Sequence, residues 1–471
     1  MEMQCKWDNT TSIHSIVSIR SKGEDGPLKE RSPLLWPSVT VSRTHSPLLE
    51  LDFAWYGTFS QCRLSWLQTE LFKPRTTSNC STMTDMILHG MGPSPSADLV
   101  GSILGVEAED NDFKQQRSTL RKTNSSRMVT PETRNGSHSK SPEDSVAKDP
   151  PMQIVWRNVL VFIYLHAAAL YGFYLCFTAA KPSTLAWSFF LFLFGGFGIT
   201  GGAHRLWAHR CYKAKLPLRI FAAVAQTIAV QNDIYEWSRD HRVHHKFSET
   251  DADPHNARRG FFFAHVGWLL CKKHPEVIRR GKTVDVSDLL QDPVVVFQRK
   301  YYIPLVLTLC FTMPAVVPWY YWGESFKTSF FVASIFRYVF TLNVTWLVNS
   351  AAHIWGNHPY DKGINPAENR AVAFLTSGEG WHNYHHVFPW DYKAAELGNY
   401  SMNMTTAAIE FFEWLGLAYD LKSVPDRIVR SRVHRTGDGS HPFSLEDSQF
   451  TAEDIKQEEA FCEIIPQDTK N

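Results

Sequence analysis

The chain has 471 residues with 48 basic and 47 acidic side chains, a formal charge of +1, so no global positive field marks it for nucleic acid. A mean hydropathy of −0.24 would suit a soluble protein, but the average misleads, because a polar N-terminal third dilutes a strongly apolar middle. The eight cysteines (Cys5, Cys62, Cys80, Cys176, Cys211, Cys271, Cys310 and Cys462) show no paired spacing, which excludes a disulfide scaffold and predicts reduced thiols.

Residues 1–150 are rich in Ser, Thr, Pro and charge without helical or strand period, and are expected to be disordered. Unpatterned Trp36, Trp55 and Trp66 within them read like an accidental frame, so native translation is expected to start at Met83 or Met86. No basic start followed by an apolar core and a cleavage site opens the chain, so membrane entry is assigned to an internal span. The folded domain is expected over 151–438, with 439–471 a flexible tail.

Residues 159–180 carry almost no charge and 184–203 none, each matching the roughly 20 residues that a hydrocarbon core requires. Between them Lys181, Pro182 and Ser183 form a tight polar turn, which predicts a helical hairpin. Gly195, Gly196, Gly198, Gly201 and Gly202 crowd the end of the second span, where small residues serve close packing or a path for a chain-like ligand. Residues 216–230 are apolar but too short to span, and are read as a re-entrant or interfacial helix. Phe261, Phe262, Phe263, Trp268, Leu269 and Leu270 suit either the headgroup level or a buried stripe.

A third span is predicted over 301–319, where Pro304, Pro314 and Pro318 need neighbouring helices to satisfy the freed carbonyls. A fourth runs over 329–352, with Arg337 facing the bundle or snorkelling rather than meeting lipid. Four spans put both termini on one side. Arg258, Arg259, Lys272, Lys273, Arg279 and Arg280 lie in the long central segment while the hairpin turns carry few cations, so that segment and the termini are expected in the cytosol.

Nine of the 20 histidines fall in four clusters beside these apolar runs: His204 and His209; His241, His244 and His245; His353, four residues after Asn349; and His382, His385 and His386. Residues three and four apart share a helix face, which aligns the second cluster and pairs Asn349 with His353, whereas His204 and His209, five apart, need a helix end or bend to converge. A catalytic metal takes about three protein ligands and a structural zinc four, so nine imidazoles suit two ions with room for a substrate. His166, His255, His265 and His274 lie outside the clusters and are read as ordinary packed or surface residues. The predicted architecture is an all-α membrane protein, with four transmembrane helices in two hairpins and a cytosolic helical cap holding a di-metal site. Imidazole does not name the metal; hydrolysis with zinc and oxygen activation with iron both remain open at this level, and only the second breaks an unactivated C–H bond.

The phrases GAHRLWAHR, DHRVHHKFSETDADPHN, TWLVNSAAHIWG and GEGWHNYHHVFPWDY, with their HxxxxH, HxxHH and HxxHH boxes, resemble the membrane acyl-CoA Δ9-desaturases of the stearoyl-CoA desaturase family over residues 153–438. The resemblance implies a multi-pass enzyme of the endoplasmic reticulum membrane, its termini and active site cytosolic. Such an enzyme inserts a cis double bond into a long-chain acyl-CoA with O2 and two Fe(II), and takes electrons from cytochrome b5 and its NADH-dependent reductase. It implies His204, His209, His241, His244, His245, His353, His382, His385 and His386 as ligands, with Asn349 completing one sphere through a water. It also implies Asn158, Asn232, Arg239, Asp240, Lys272 and Lys273 as CoA contacts and Trp346 beside the bend of the acyl chain. A desaturase of other position or chain length, or a hydroxylase on the same scaffold, is the second reading, and a non-catalytic membrane scaffold the third.

Overall fold

A computed structural model describes residues 117–118, 151–396, 402–445 and 456. Apart from residues 117–118, which are helical, the segment before residue 150 expected to be disordered, the proposed start at Met83 or Met86 and nearly all of the C-terminal tail lie outside the described residues. Among the described residues, four helices are long and apolar enough to cross a membrane: Trp156–Thr178, Pro182–Ala208, Tyr302–Trp322 and Phe326–His353. They match the predicted spans, with the ends displaced by a few residues. Their outward faces carry side chains that water would not tolerate in such number, among them Leu170, Phe177, Tyr320 and Tyr321, each more than 70% exposed. Trp319, Tyr320 and Tyr321 gather beside the second hairpin turn, as aromatic residues do at a membrane boundary.

The two hairpin turns are tied together. The carboxylate of buried Glu324 accepts from the Lys181 N–H at 2.8 Å and from the Thr184 hydroxyl at 2.7 Å, while Lys181 Nζ donates to the carbonyls of Trp322 and Gly323. Inside the bundle Arg337 is 2% exposed and donates to the carbonyls of Ala333, Ile228 and Cys310. It therefore faces inward, and it caps the C-terminal end of the short apolar helix Leu216–Ala229.

That helix lies beside the second span, and Gly198 makes the contact possible. A Cβ at Gly198 would sit 2.1 Å from the Gln226 nitrogen. Leu216, Ile220 and Phe221 remain exposed, as expected of an interfacial helix. The sequence reading did not single out its neighbour Met404–Trp414, which presents Met404, Phe411 and Trp414 outward and packs Phe412 on Phe221 at 5.3 Å. After Leu216–Ala229 the chain reverses through Val230 and Asn232, both left-handed, and Asp233 caps Ile234–Phe247 by accepting the Glu236 N–H at 3.1 Å. The rest of the described cap is largely short helices, and a two-residue antiparallel pairing, Lys213–Ala214 against Ala418–Tyr419, with isolated bridges such as Asn357 to Glu368 departs from an all-helical design.

Candidate metal centre

Four pieces of chain bring the nine histidines together: the end of the second span, the helix Ile234–Phe247, the end of the fourth span and the helix His382–Val387. The second span supplies His204 and His209 through a π-helical stretch, Gly198–Ala208, in which the His209 N–H donates to the His204 carbonyl at 3.0 Å. In an α-helix residues five apart stand roughly 140° apart around the axis. The wider π turn closes that angle, which answers the need for a bend that the spacing raised.

Buried polar groups fix the other pieces. Arg242, 1% exposed, donates to the carbonyls of Trp207 and Ala208 and to Asp288, clamping the second span's end to the helix that carries His241, His244 and His245. Asn383, wholly buried, accepts from the N–H groups of Tyr360 and Asp361 and donates to two carbonyls, and Glu368 accepts the Tyr384 N–H at 2.8 Å. These bonds hold His382–Val387 in place.

The imidazoles sort into two groups, and each of the two HxxHH boxes serves both. His204, His209, His241, His245 and His385 bring one nitrogen each within 4.8 Å of all the others, and so do His244, His353, His382 and His386. His241 and His245 thus part from His244, and His385 from His382 and His386, so one helix face straddles two positions. Within the groups ring nitrogens lie 2.8 Å apart for His209 and His241, 2.9 Å for His204 and His385, and 3.0 Å for His353 and His382.

The outer nitrogens show which way the lone pairs point. His204 Nδ1 lies 2.7 Å from Glu379, His244 Nδ1 2.9 Å from Asp253 and His353 Nδ1 3.0 Å from Glu249. A carboxylate accepts, so each Nδ1 carries the proton and each Nε2 lone pair is left for the interior. His244 Nε2 is buried there with no hydrogen-bond partner. Burial first, and the neighbouring imidazoles second, hold His241, His245, His382, His385 and His386 well below the ordinary histidine pKa. Burial opposes ionisation of Glu379 and Asp253, but Arg205 with His204, and His244 with the bonds around it, outweigh it and keep both carboxylates charged, Glu379 at about 2. Neutral imidazoles with inward lone pairs, oriented by anionic partners, fit two cations.

Two cavities meet at this centre. One is lined by Phe192, Gly196, Ile199, Val344 and Val348 as well as His204 and His382; the other by Asn158, Asn232, Asp240, His255 and Trp346. Both include Trp237, His241, Thr345 and Asn349. Asn349 therefore stands at the junction, and Asn158, Asn232, Asp240 and Trp346 line the second cavity. Lys272 and Lys273 line a small adjoining cleft with Asp253 and Trp268. Lys273 is engaged with Glu236 at 3.2 Å and Asp240 at 2.9 Å, and Arg239 donates to Asp240 at 2.7 Å, because a largely buried carboxylate pair recruits its own cations.

The sequence reading missed Glu249, Asp253, Glu379, His255 and Trp237. His255, set aside as ordinary, is buried, contacts His244 at 4.4 Å between ring centres and sits 3.5 Å from Asp253. Trp237, one helical turn before His241, stacks on it at 4.9 Å, and that i, i+4 spacing was the available signal.

Residues 182–397 match the model of the fatty acid desaturase family. The chain is 62% identical over 317 residues to an acyl-CoA Delta-9 desaturase of Acheta domesticus, covering 67% of this chain and 88% of that protein. It is 61% identical over 290 residues to an acyl-CoA Delta12-desaturase of the same cricket, 62% of this chain and 81% of the relative. With stearoyl-CoA desaturase 5 of Homo sapiens it shares 58% over 299 residues, 64% and 90% of the two chains. The π turn, the paired histidine groups and these relatives agree: the chain belongs to the fatty acid desaturase family, among its membrane acyl-CoA desaturases.

Proposed function

We propose that the protein inserts a cis double bond at Δ9 of a saturated long-chain acyl-CoA, using O2 and electrons from cytochrome b5 and its NADH-dependent reductase, at the cytosolic face of the endoplasmic reticulum. The carrying observation is the meeting of an apolar cavity and a more polar one beside His241 and Asn349. An acyl chain has no group to hydrogen-bond, so only the shape of such a cavity can hold one methylene pair against the reacting centre, where a displacement of about 1 Å costs roughly 100-fold.

The nine histidines, with Asn349 at the junction, are the residues that would hold two Fe(II). The bound pair would supply activation of O2 for removal of hydrogen from an unactivated C–H bond, which zinc cannot. Glu249, Asp253 and Glu379 keep their histidines in the ligating tautomer. Trp237 and the apolar wall of the first cavity keep water from the acyl chain. Asn158, Asn232 and Lys272 are assigned to the CoA moiety, Lys272 by its charge toward phosphate. Asp240 lines the second cavity and holds Arg239 and Lys273 by ion pairs, and Trp346 is that cavity's wall beside the acyl chain.

A shifted double bond is the second reading, favoured by the near-equal identity to relatives named for Delta-9 and for Delta12. Expression in a yeast lacking its own Δ9-desaturase, with double bonds located by derivatisation and mass spectrometry, separates the two. Palmitoleate and oleate are expected. A different position would replace Δ9, a hydroxy-acid would replace desaturation, and no new product from membrane-inserted protein would leave a scaffold.

A further inference from the structure

Away from the metal ligands, the first and fourth spans enclose a polar chain where leucine would pack at no electrostatic cost. His166 Nδ1 lies 2.8 Å from the Phe162 carbonyl, which only accepts, so Nδ1 donates and Nε2 accepts from Asn343 Nδ2 at 3.2 Å. The same amide donates to the Val339 carbonyl at 2.8 Å, leaving Asn343 Oδ1 to accept from His265 Nε2 at 3.3 Å. His265 Nδ1 lies 3.0 Å from Ser350 Oγ. That hydroxyl donates to the Trp346 carbonyl at 2.8 Å, beside the Ser350 N–H at 3.1 Å, so the chain ends on the backbone of Trp346 itself.

All of it surrounds one side chain. The His166 ring lies roughly parallel to the Trp346 indole at 6.5 Å, His265 meets it edge-on at 5.6 Å and Phe162 at 5.7 Å. Trp346 is 4% exposed and lines the second cavity three residues before Asn349. Polar side chains inside spans are costly and usually serve a site.

We infer that His265, Asn343 and His166 are positioning residues that brace the Trp346 indole and thereby fix which methylene pair of the acyl chain faces the metal centre. The inference rests on the acyl-CoA desaturase reading. The brace works at a distance: none of the three side chains lines either cavity, and all act through the indole.

Two variants test it in purified full-length enzyme reconstituted with its electron donors. His265→Phe keeps a ring beside the indole and removes both hydrogen bonds from a short helix outside the bundle; Asn343→Leu removes the central link while keeping the branched shape of the side chain. With stearoyl-CoA, the expected result for either is a second positional isomer beside the wild-type product, and a roughly tenfold lower kcat at unchanged KM and metal content. A bond that only glued helices together would lower yield and Tm but leave the product's double bond in place. One unshifted isomer, with wild-type kcat per metal-loaded enzyme in His265→Phe, would overturn the inference even if Asn343→Leu failed to accumulate. Failure of the underlying reading registers separately, as wild-type enzyme that makes no unsaturated product, and would take the inference with it.

Discussion

Asp253 accepts from His244 Nδ1 at 2.9 Å, from the Glu249 N–H at 2.8 Å and from the His255 N–H at 3.1 Å, so one carboxylate sets both a ligand's tautomer and the loop behind it. In Asp253→Asn the new amide would present N–H to donors. Such losses around metal ligands typically cost about 10–100-fold in affinity or activity; metal analysis of the purified variant is expected to show the His244 group depleted first. Glu368 titrates the other way. Burial first, then nearby Glu396, raises its carboxyl to about 8 despite the Tyr384 N–H, so it folds protonated at neutral pH. A raised acid binds its proton more tightly in the folded state, so its contribution is full below about 4.5 and is lost as pH climbs to about 8, by up to about 1.4 kcal/mol per unit. Glu368→Gln keeps an acceptor for Tyr384 without a proton to lose. Its Tm should therefore fall less between pH 5.5 and 8 than that of wild type; parallel pH profiles would contradict the assignment. The histidines were legible because nine imidazoles beside apolar runs are rare. Glu249, Asp253 and Glu379 were not, because among 47 acidic side chains nothing local distinguishes an orienting carboxylate from a solvated one.

At the scale of elements, apolar length announced the spans and fixed the turns between them, yet the π stretch Gly198–Ala208 leaves no mark in hydropathy. Spacing alone demanded a distortion between His204 and His209 without saying which. The glycines around its start divide by role, and the structure separates them where composition left packing and passage equal. A Cβ on Gly198 would meet the backbone of the neighbouring helix at 2.1 Å, whereas one on Gly196 would find nothing within 4 Å and point to a residue lining the apolar cavity. Gly198→Ala should cost about 1–3 kcal/mol, or ~2–6 °C in Tm. Gly196→Ala should melt as wild type while changing the ranking of acyl chain lengths. Thermal melts and product profiles of the pair check this, and equal melting of the two would deny the close helix crossing.

Across the whole molecule the hairpins are joined at one end by Glu324, Lys181 and Thr184 and at the other by imidazoles whose nitrogens converge from four separate pieces of chain. The two ends depend on different chemistry. The Glu324 junction needs no ligand, because its bonds are complete within the protein. The histidine end gathers inward lone pairs that only a cation satisfies, so metal binding and folding of the cap are one equilibrium. Chelation should therefore lower the Tm by ~5 °C or more, since a site filled at 100 times its Kd contributes about 2.7 kcal/mol. The spans are held by lipid-facing apolar surface and internal backbone bonds, so far-UV circular dichroism before the transition should barely change. Fe(II) should restore the Tm and activity together, whereas Zn(II) should restore the Tm alone, because both ions satisfy imidazole and only iron cycles between oxidation states. A stripped protein that melts like the loaded one would mean that the four pieces meet for reasons of packing, and the histidines would lose their place at the centre of the fold.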